Sequence, residues 1–196
     1  MKTILTEEML EGPKIKGSRF IGYIFHVQTL QDIEKKIHLV HQQHPQASHV
    51  CYAWVLEENQ ERCFDDGEPR GSAGIPILQY LKGQNLIYIL AVSVRYFGGQ
   101  KLGVGGLIRA YGNSIGLVLE KTQFQEYIPI KTIEMTYDYD LNSAVKKVLA
   151  GNPNLYVQVQ HCYTHHVQSK IEIPIVHEQE IKLLFIEACS GRILFS

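Results

Sequence analysis

Apolar residues alternate along SRFIGYIFHV, residues 18–27, which puts Ile21, Tyr23, Phe25 and Val27 on one face of a half-buried strand. Thr29 and Asp32 then stand as the partners of a capping box, and Ile33, Ile37 and Val40 follow at helical spacing. ASHVCYAWVLEE, residues 47–58, is apolar on both faces, with Val50, Tyr52, Trp54 and Leu56 sharing one. A short partner strand is expected to end at Phe64, and a short helix is expected over residues 75–81. Residues 86–97, LIYILAVSVRYF, form a near-continuous apolar run of the kind a central strand carries. After an interruption, Leu107, Tyr111, Ile115 and Val118 mark an amphipathic helix running to about Lys121.

The character changes at TQFQEYIPI, residues 122–130, which reads as a linker between domains at 1–125 and 130–196. Beyond it Ile133, Met135, Tyr137 and Tyr139 alternate inward while Thr132, Glu134, Thr136 and Asp138 alternate outward. Leu141, Val145, Val148 and Leu149 then take helical spacing as far as Gly151, and strands are expected over 155–163 and 167–176. A helix carrying Ile181, Leu184, Phe185 and Ala188 ends at Gly191, and RILFS supplies a last strand. The order β-α-β-β-α-β is that of a ferredoxin-like domain, so the chain is expected to be α+β.

Composition changes this picture little. The 196 residues are 45% hydrophobic and 20% charged, as in ordinary globular proteins, and long enough for a real core. The net charge of −1 exerts no global pull toward nucleic acid or anionic membrane, so any such role needs a local patch. MKTILTEEML meets Glu7 and Glu8 too early for a secretory signal, and the apolar run LIYILAV is too short to span a bilayer. Cys51, Cys63, Cys162 and Cys189 show no CxxC spacing and read as reduced thiols of a cytoplasmic protein.

The local patch lies around the strongest strand. DDGEPRGSAG precedes it and RYFGGQKLGVGGLIRAYG follows it, and loops at strand ends are where sites are usually built. Between residues 62 and 112 six bases, Arg62, Arg70, Lys82, Arg95, Lys101 and Arg109, face three acids, Asp65, Asp66 and Glu68, a local net of +3. Gly103, Gly105 and Gly106 lead into a helix N-terminus, where free N–H groups and the helix dipole favour an anion, with Lys101 before it and Arg109 in its first turn. The same glycines would also suit a tight turn packed between helix and sheet. No GxxxxGK[ST] is present, and position 108 is not the glycine a dinucleotide fingerprint needs.

Asp65, Asp66 and Glu68 would hold a hard cation only if they converged; otherwise one caps the turn and another pairs with Arg95 or Arg109. His49 and Cys51 share a strand face, yet no third group orients them, so Cys51 reads as a buried thiol. HCYTHH, residues 161–166, would bind zinc only if the chain turned between His161 and His165, and exposed histidines on a hairpin end are the commoner arrangement. His38, His41 and His44 read as the solvated face of a helix.

Together SRFIGYIFHV, ASHVCYAWVLE, DDGEPRGSAGIPIL and VSVRYFGGQKLGVGGLIRAY resemble the IMPACT family, and the resemblance covers nearly the whole chain. It implies an N-terminal domain similar to domain IV of the translocation elongation factor, with a left-handed βαβ crossover, and a C-terminal domain similar to that factor's ferredoxin-like domains. The family pattern falls on Asp65 to Pro69, Gly71, Gly74, Arg95 to Gly99, Lys101, Leu102, Gly103, Gly105, Gly106, Arg109 and Tyr111. Position 70 is Arg where the family usually has Ser, which disfavours a hydrolase using that hydroxyl as nucleophile. The resemblance also implies eukaryotic relatives that regulate translation by blocking activation of a stress-responsive kinase; they carry an additional N-terminal kinase-activator-binding domain not read in this sequence, so that partner is not carried over.

The expectation is a non-catalytic cytoplasmic protein that docks on RNA, the ribosome or another phosphate-bearing, translation-related partner, without cofactor or metal. Arg95, Lys101, Arg109 and the 103–106 amides would hold phosphate, the three acids would position the bases, and Tyr96 and Tyr111 would stack. Phe97 would stack too or else join the core. Phosphate contacts confer no DNA sequence specificity, and no membrane partner is expected. Two alternatives stand beside it: an enzyme of phosphate or nucleotide chemistry, marked by convergence of the three acids, and a protein-interaction module acting on a kinase or translation factor.

Overall fold

The computed structural model describes residues 1–57 and 60–195; Glu58, the last residue of the expected second strand, and Ser196 of RILFS lie outside them. The chain divides into two compact units, Met1–Tyr127 and Ile128–Ser196.

In chain order the first unit runs β1 (Lys2–Ile4), β2 (Glu8–Glu11), β3 (Arg19–His26), α1 (Leu30–Gln43), β4 (His49–Val55), β5 (Glu61–Phe64), α2 (Gly74–Gly83), β6 (Ile89–Tyr96), α3 (Val104–Leu119) and β7 (Phe124–Glu126). Its main sheet has the order β2-β3-β6-β4-β5, with β6 in the centre and antiparallel to both β3 and β4. The expected α1 cap is present: the Thr29 side chain accepts from the Asp32 N–H and the Asp32 side chain accepts from the Thr29 N–H. Ile33 and Val40 of α1 pack with Ile21, Tyr23, Phe25, Val27, Val50, Leu90 and Val92 on one face of the sheet.

The other face of β3 is also buried, which corrects its reading as a half-exposed strand. Phe20 and Ile24 join Cys51, Ala53, Ile89 and Ala91 under Ile77 and Leu81 of α2 and Leu107, Tyr111, Ile115 and Val118 of α3. Gly22 lets α3 approach, because a Cβ there would fall on the Ser114 carbonyl oxygen. β6 therefore presents Leu90, Val92 and Val94 to α1 and Ala91, Ser93 and Arg95 to α3, as its alternation requires. α3 begins at Val104, three residues before the first apolar position of its stripe, so Gly105 and Gly106 belong to its first turn and Arg109 to its second.

Residues 122–130 are not simply a linker: β7 pairs antiparallel with β1 in a two-stranded sheet. Neither β1 nor β2 carries a periodic signal long enough to read from sequence.

The second unit consists of β8 (Ile130–Tyr137), α4 (Asn142–Gly151), β9 (Gln158–Tyr163), β10 (Val167–Pro174), α5 (Glu178–Ala188) and β11 (Leu194–Phe195). Its sheet order β11-β8-β10-β9 with antiparallel neighbours gives the ferredoxin-like arrangement. Ile133, Met135 and Tyr137 are buried against Val145, Leu149, Ile181 and Phe185. Tyr139, read as the fourth inward position, lies in a 3₁₀ turn and is half exposed, its hydroxyl donating to the Thr164 carbonyl.

Candidate functional site

β3 and β4 start, and β5 and β6 finish, at one end of the main sheet, so the 65–73 and 97–103 loops and the N-termini of α2 and α3 gather there. The acidic loop is built inward. The Asp65 carboxylate accepts from the backbone N–H groups of Gly71, Ala73 and Gly74 at 2.8, 3.0 and 2.8 Å, filling the N-terminus of α2. Burial alone would raise this carboxyl, but those three donors, with Arg70 nearby, hold it below the ordinary aspartate value. Asp66, at φ +43°, turns the other way: its carboxylate accepts from the Val50 N–H at 2.6 Å and its carbonyl from His49 Nδ1 at 2.7 Å. A carbonyl only accepts, so Nδ1 carries the hydrogen.

Glu68 is buried. Its Oε1 accepts from Arg95 Nη1 at 2.5 Å and from the Tyr111 hydroxyl at 2.7 Å, with His49 Nε2 at 3.8 Å. The Arg95 guanidinium lies between the Phe20 and Phe97 rings, 5.6 and 5.4 Å from their centroids. The expected ion pair between an acid of this loop and a base beyond it is therefore Glu68–Arg95.

Of the two arrangements weighed for the acids the structure takes the second, a capping Asp and an acid paired with Arg95, and it corrects two other expectations, those for Arg95 and Tyr111. The three carboxylates do not converge: Asp65 caps α2, Asp66 pins β4 and Glu68 neutralises Arg95, and among the described residues no group of three His, Cys, Asp or Glu would hold a metal. Arg95 is 4% exposed, so it shapes the loops from below instead of meeting a ligand at the surface. Tyr111 is wholly buried and no base can stack on it; burial and its bond to Glu68 push its hydroxyl far above the ordinary tyrosine value.

Tyr96 belongs to the α1 side, where its hydroxyl meets His44 Nδ1 at 2.8 Å and Arg19 lies over its ring. His44 is thus no solvated residue: its Nε2 meets the Tyr23 hydroxyl at 2.6 Å, and burial, then the charge of Arg19, lowers its pKa. Cys51 donates to the Asp65 carbonyl at 3.1 Å, and burial pushes its thiol up to about 12, which removes it as a nucleophile. His161 Nδ1 lies 2.6 Å from the Ser169 hydroxyl, while His165 is exposed on the hairpin beyond β9.

The basic loop is built outward. Gly103 is the N-cap of α3 at φ +75° and supplies no side-chain cap, leaving the N–H groups of Val104, Gly105 and Gly106 without intrahelical partners. Gly103, Val104, Gly105, Lys101 and Arg109 are exposed. Neither cation has an ion-pair partner among the described residues. Gly105 and Arg109 stand four apart, so they share a helix face, and helical side chains lean toward the N-terminus. Gly99 and Gly103 are explained by φ of +85° and +75°, and Gly106 by Leu102 Cβ, which a Cβ would meet at 3.0 Å. Gly105 has neither reason: its φ is not positive and a Cβ would meet nothing within 4 Å. A helical glycine facing open space leaves backbone accessible to something outside the chain. Among the described residues no helix is long and apolar enough to cross a membrane.

The fold and this end of the sheet define a two-domain α+β protein with an inward acidic loop and an outward basic, glycine-rich one. The Impact N-terminal domain model matches residues 16–119, and the chain belongs to the IMPACT family. It is 36% identical over 160 residues to the IMPACT family member YvyE of Bacillus subtilis, covering 81% of this chain and 74% of that one. It is also 36% identical over 140 residues to YigZ of Escherichia coli, 69% of each chain. The crystal structure of a hypothetical protein is similar over 99% of this chain and 95% of its own, with a TM-score of 0.69 and 28% identity.

Proposed function

We propose that the protein is a non-catalytic, cytoplasmic docking protein of the translation apparatus that binds RNA, on the ribosome or free, through phosphate at the N-terminus of α3. The observation that carries this reading is a contrast between two helix N-termini at one end of the sheet. At the entry to α2 the N–H groups of Gly71, Ala73 and Gly74 are taken by the chain's own carboxylate, Asp65, whereas at α3 no side chain plays that part and the flanking Lys101 and Arg109 have no ion-pair partner among the described residues. A phosphate oxygen at α3 takes the donors that Asp65 takes at α2. The bare backbone at Gly105 supports this, since it admits a ligand to the amides. Contacts of this kind give affinity without sequence readout, so the mechanism is docking, not turnover. The dispersed carboxylates give no support to an enzyme that holds magnesium at this loop.

The test is the affinity of a labelled single-stranded RNA across a salt series, for the wild-type protein and for Lys101→Ala/Arg109→Ala. In the double variant the slope of log affinity against log salt is expected to fall by about 1.4, two phosphate contacts on a single strand. An unchanged slope removes phosphate from this loop.

A further inference from the structure

Tyr111 and Tyr96 are both spoken for, yet a different tyrosine, which lines a hollow together with Arg109, has the form of a stacking platform. The Tyr80 ring of α2 packs against two glycines of α3: a Cβ on Gly112 would sit 2.9 Å from its Cε2, and a Cβ on Gly116 2.7 Å from its Cε1. Any side chain at either glycine would lift the ring. The Tyr80 hydroxyl donates to Asn113 Oδ1 at 3.3 Å, which fixes the ring in its plane. The residue is nonetheless 37% exposed, so part of the ring stays open to solvent.

Two hollows flank the ring and have it as a common wall, of about 420 and 460 Å³. The 420 Å³ hollow is lined by Pro76 and Ile108 together with Gln79, Gln84 and Asn113, and Arg109 is the one charged side chain in its wall. Its chemistry is therefore that of a nucleotide: a flat aromatic surface for the base, side-chain amides that donate and accept as base edges do, and one cation for the phosphate. An acidic peptide would satisfy Arg109 and could pair with the amides, but its backbone would leave the Tyr80 ring without a stacking partner.

We infer that the hollow beside Tyr80 receives an unpaired base of a single-stranded RNA, stacked on the Tyr80 ring, with the phosphate of that nucleotide at Arg109 and the phosphate of an adjacent nucleotide at the α3 N-terminus, about 12 Å further along the helix from Gly112. This rests on the phosphate-docking reading above and gives it a ligand class, an unpaired nucleotide. Stacking of this kind is tolerant of base identity, because every base has a π face.

The experiment is fluorescence anisotropy of a fluorescein-labelled single-stranded RNA 12-mer of mixed sequence, titrated with the full chain at several salt concentrations. Tyr80→Leu keeps apolar cover over the glycines but removes the ring; it is expected to weaken binding about 10-fold or more with an unchanged salt slope. Tyr80→Phe keeps the ring and is expected to bind like wild type. Asn113→Asp retains the acceptor for Tyr80 and sets a carboxylate beside the base and phosphate, so it weakens binding even if Tyr80→Leu fails to fold. If Tyr80→Leu or Asn113→Asp, folded, binds as tightly as wild type, the inference is overturned. The phosphate reading survives that result provided Lys101→Ala/Arg109→Ala still flattens the salt slope. Absence of salt-dependent binding by the wild-type protein overturns both.

Discussion

Glu68→Ala is expected to destabilise the first unit by about 3–5 kcal/mol, the range for removing one partner of a buried ion pair. The Arg95 and Glu68 side chains are each 5% exposed, and the guanidinium sits between two phenylalanine rings that offer it no hydrogen-bond acceptor. Its Nε already lacks a partner, so without Glu68 the remaining contact is a 3.4 Å approach of Nη2 to Ser18 Oγ. The Tyr111 hydroxyl loses its acceptor in the same step. Urea unfolding followed by the fluorescence of Trp54, the single tryptophan of the chain and a residue of β4, reads this unit directly. A fall of about 2 M in the midpoint corresponds to the expected loss. Replacing both partners with apolar residues, Glu68→Leu/Arg95→Met, is expected to destabilise less than Glu68→Ala alone, because no uncompensated charge is left behind. A midpoint for Glu68→Ala within a few tenths of a molar of wild type contradicts the assignment of the pair as a structural element.

Gly98→Ala is expected to be nearly as damaging, for a steric reason. At Gly98 the backbone leaving β6 crosses the backbone approaching β3, and a Cβ would fall on the carbonyl carbon of Gly17 and the amide nitrogen of Ser18. Backbone atoms cannot move aside as a flexible side chain does, so the crossing must open. That breaks the 3.1 Å bond from the Gly98 N–H to Ser18 Oγ and displaces Phe97, whose N–H donates to Ser48 Oγ at 2.9 Å and whose ring covers Arg95. The expected loss is about 3 kcal/mol, the upper end for forcing extra volume into a packed site. Gly105→Ala is the control: its Cβ meets nothing within 4 Å, and the same urea titration is expected to show no loss of stability. Equal midpoints for Gly98→Ala and wild type contradict the crossing.

Long periodic segments carried the fold in the sequence. Val50, Tyr52, Trp54 and Leu56 do pack on the α1 side, and Cys51, Ala53 and Val55 on the other, as the two-faced apolar strand implied. Pairing partners were less legible. Glu68 and Arg95 are 27 residues apart, and nothing in either local pattern says that both charges are buried. Tyr111 is a different case, since its place in the stripe of Leu107, Ile115 and Val118 already marked it as core, and that spacing outweighs its neighbourhood among charged residues. The platform inferred at Tyr80 was missed because a platform is defined by what lies beneath it. The available signal was the glycine pair Gly112 and Gly116, four residues apart in a helix and able to admit a ring from a neighbouring one. The strands of three and four residues, β1, β7 and β2, are too short for any period to show.

The most direct test of phosphate docking at α3 is a two-dimensional amide NMR titration of the ¹⁵N-labelled protein with the same RNA 12-mer. The amides of Val104, Gly105 and Gly106 are expected to shift first and furthest, while Gly71, Ala73 and Gly74, already bonded to Asp65, stay nearly still. RNA binding that moves other amides and leaves residues 104–106 unperturbed would contradict the docking site.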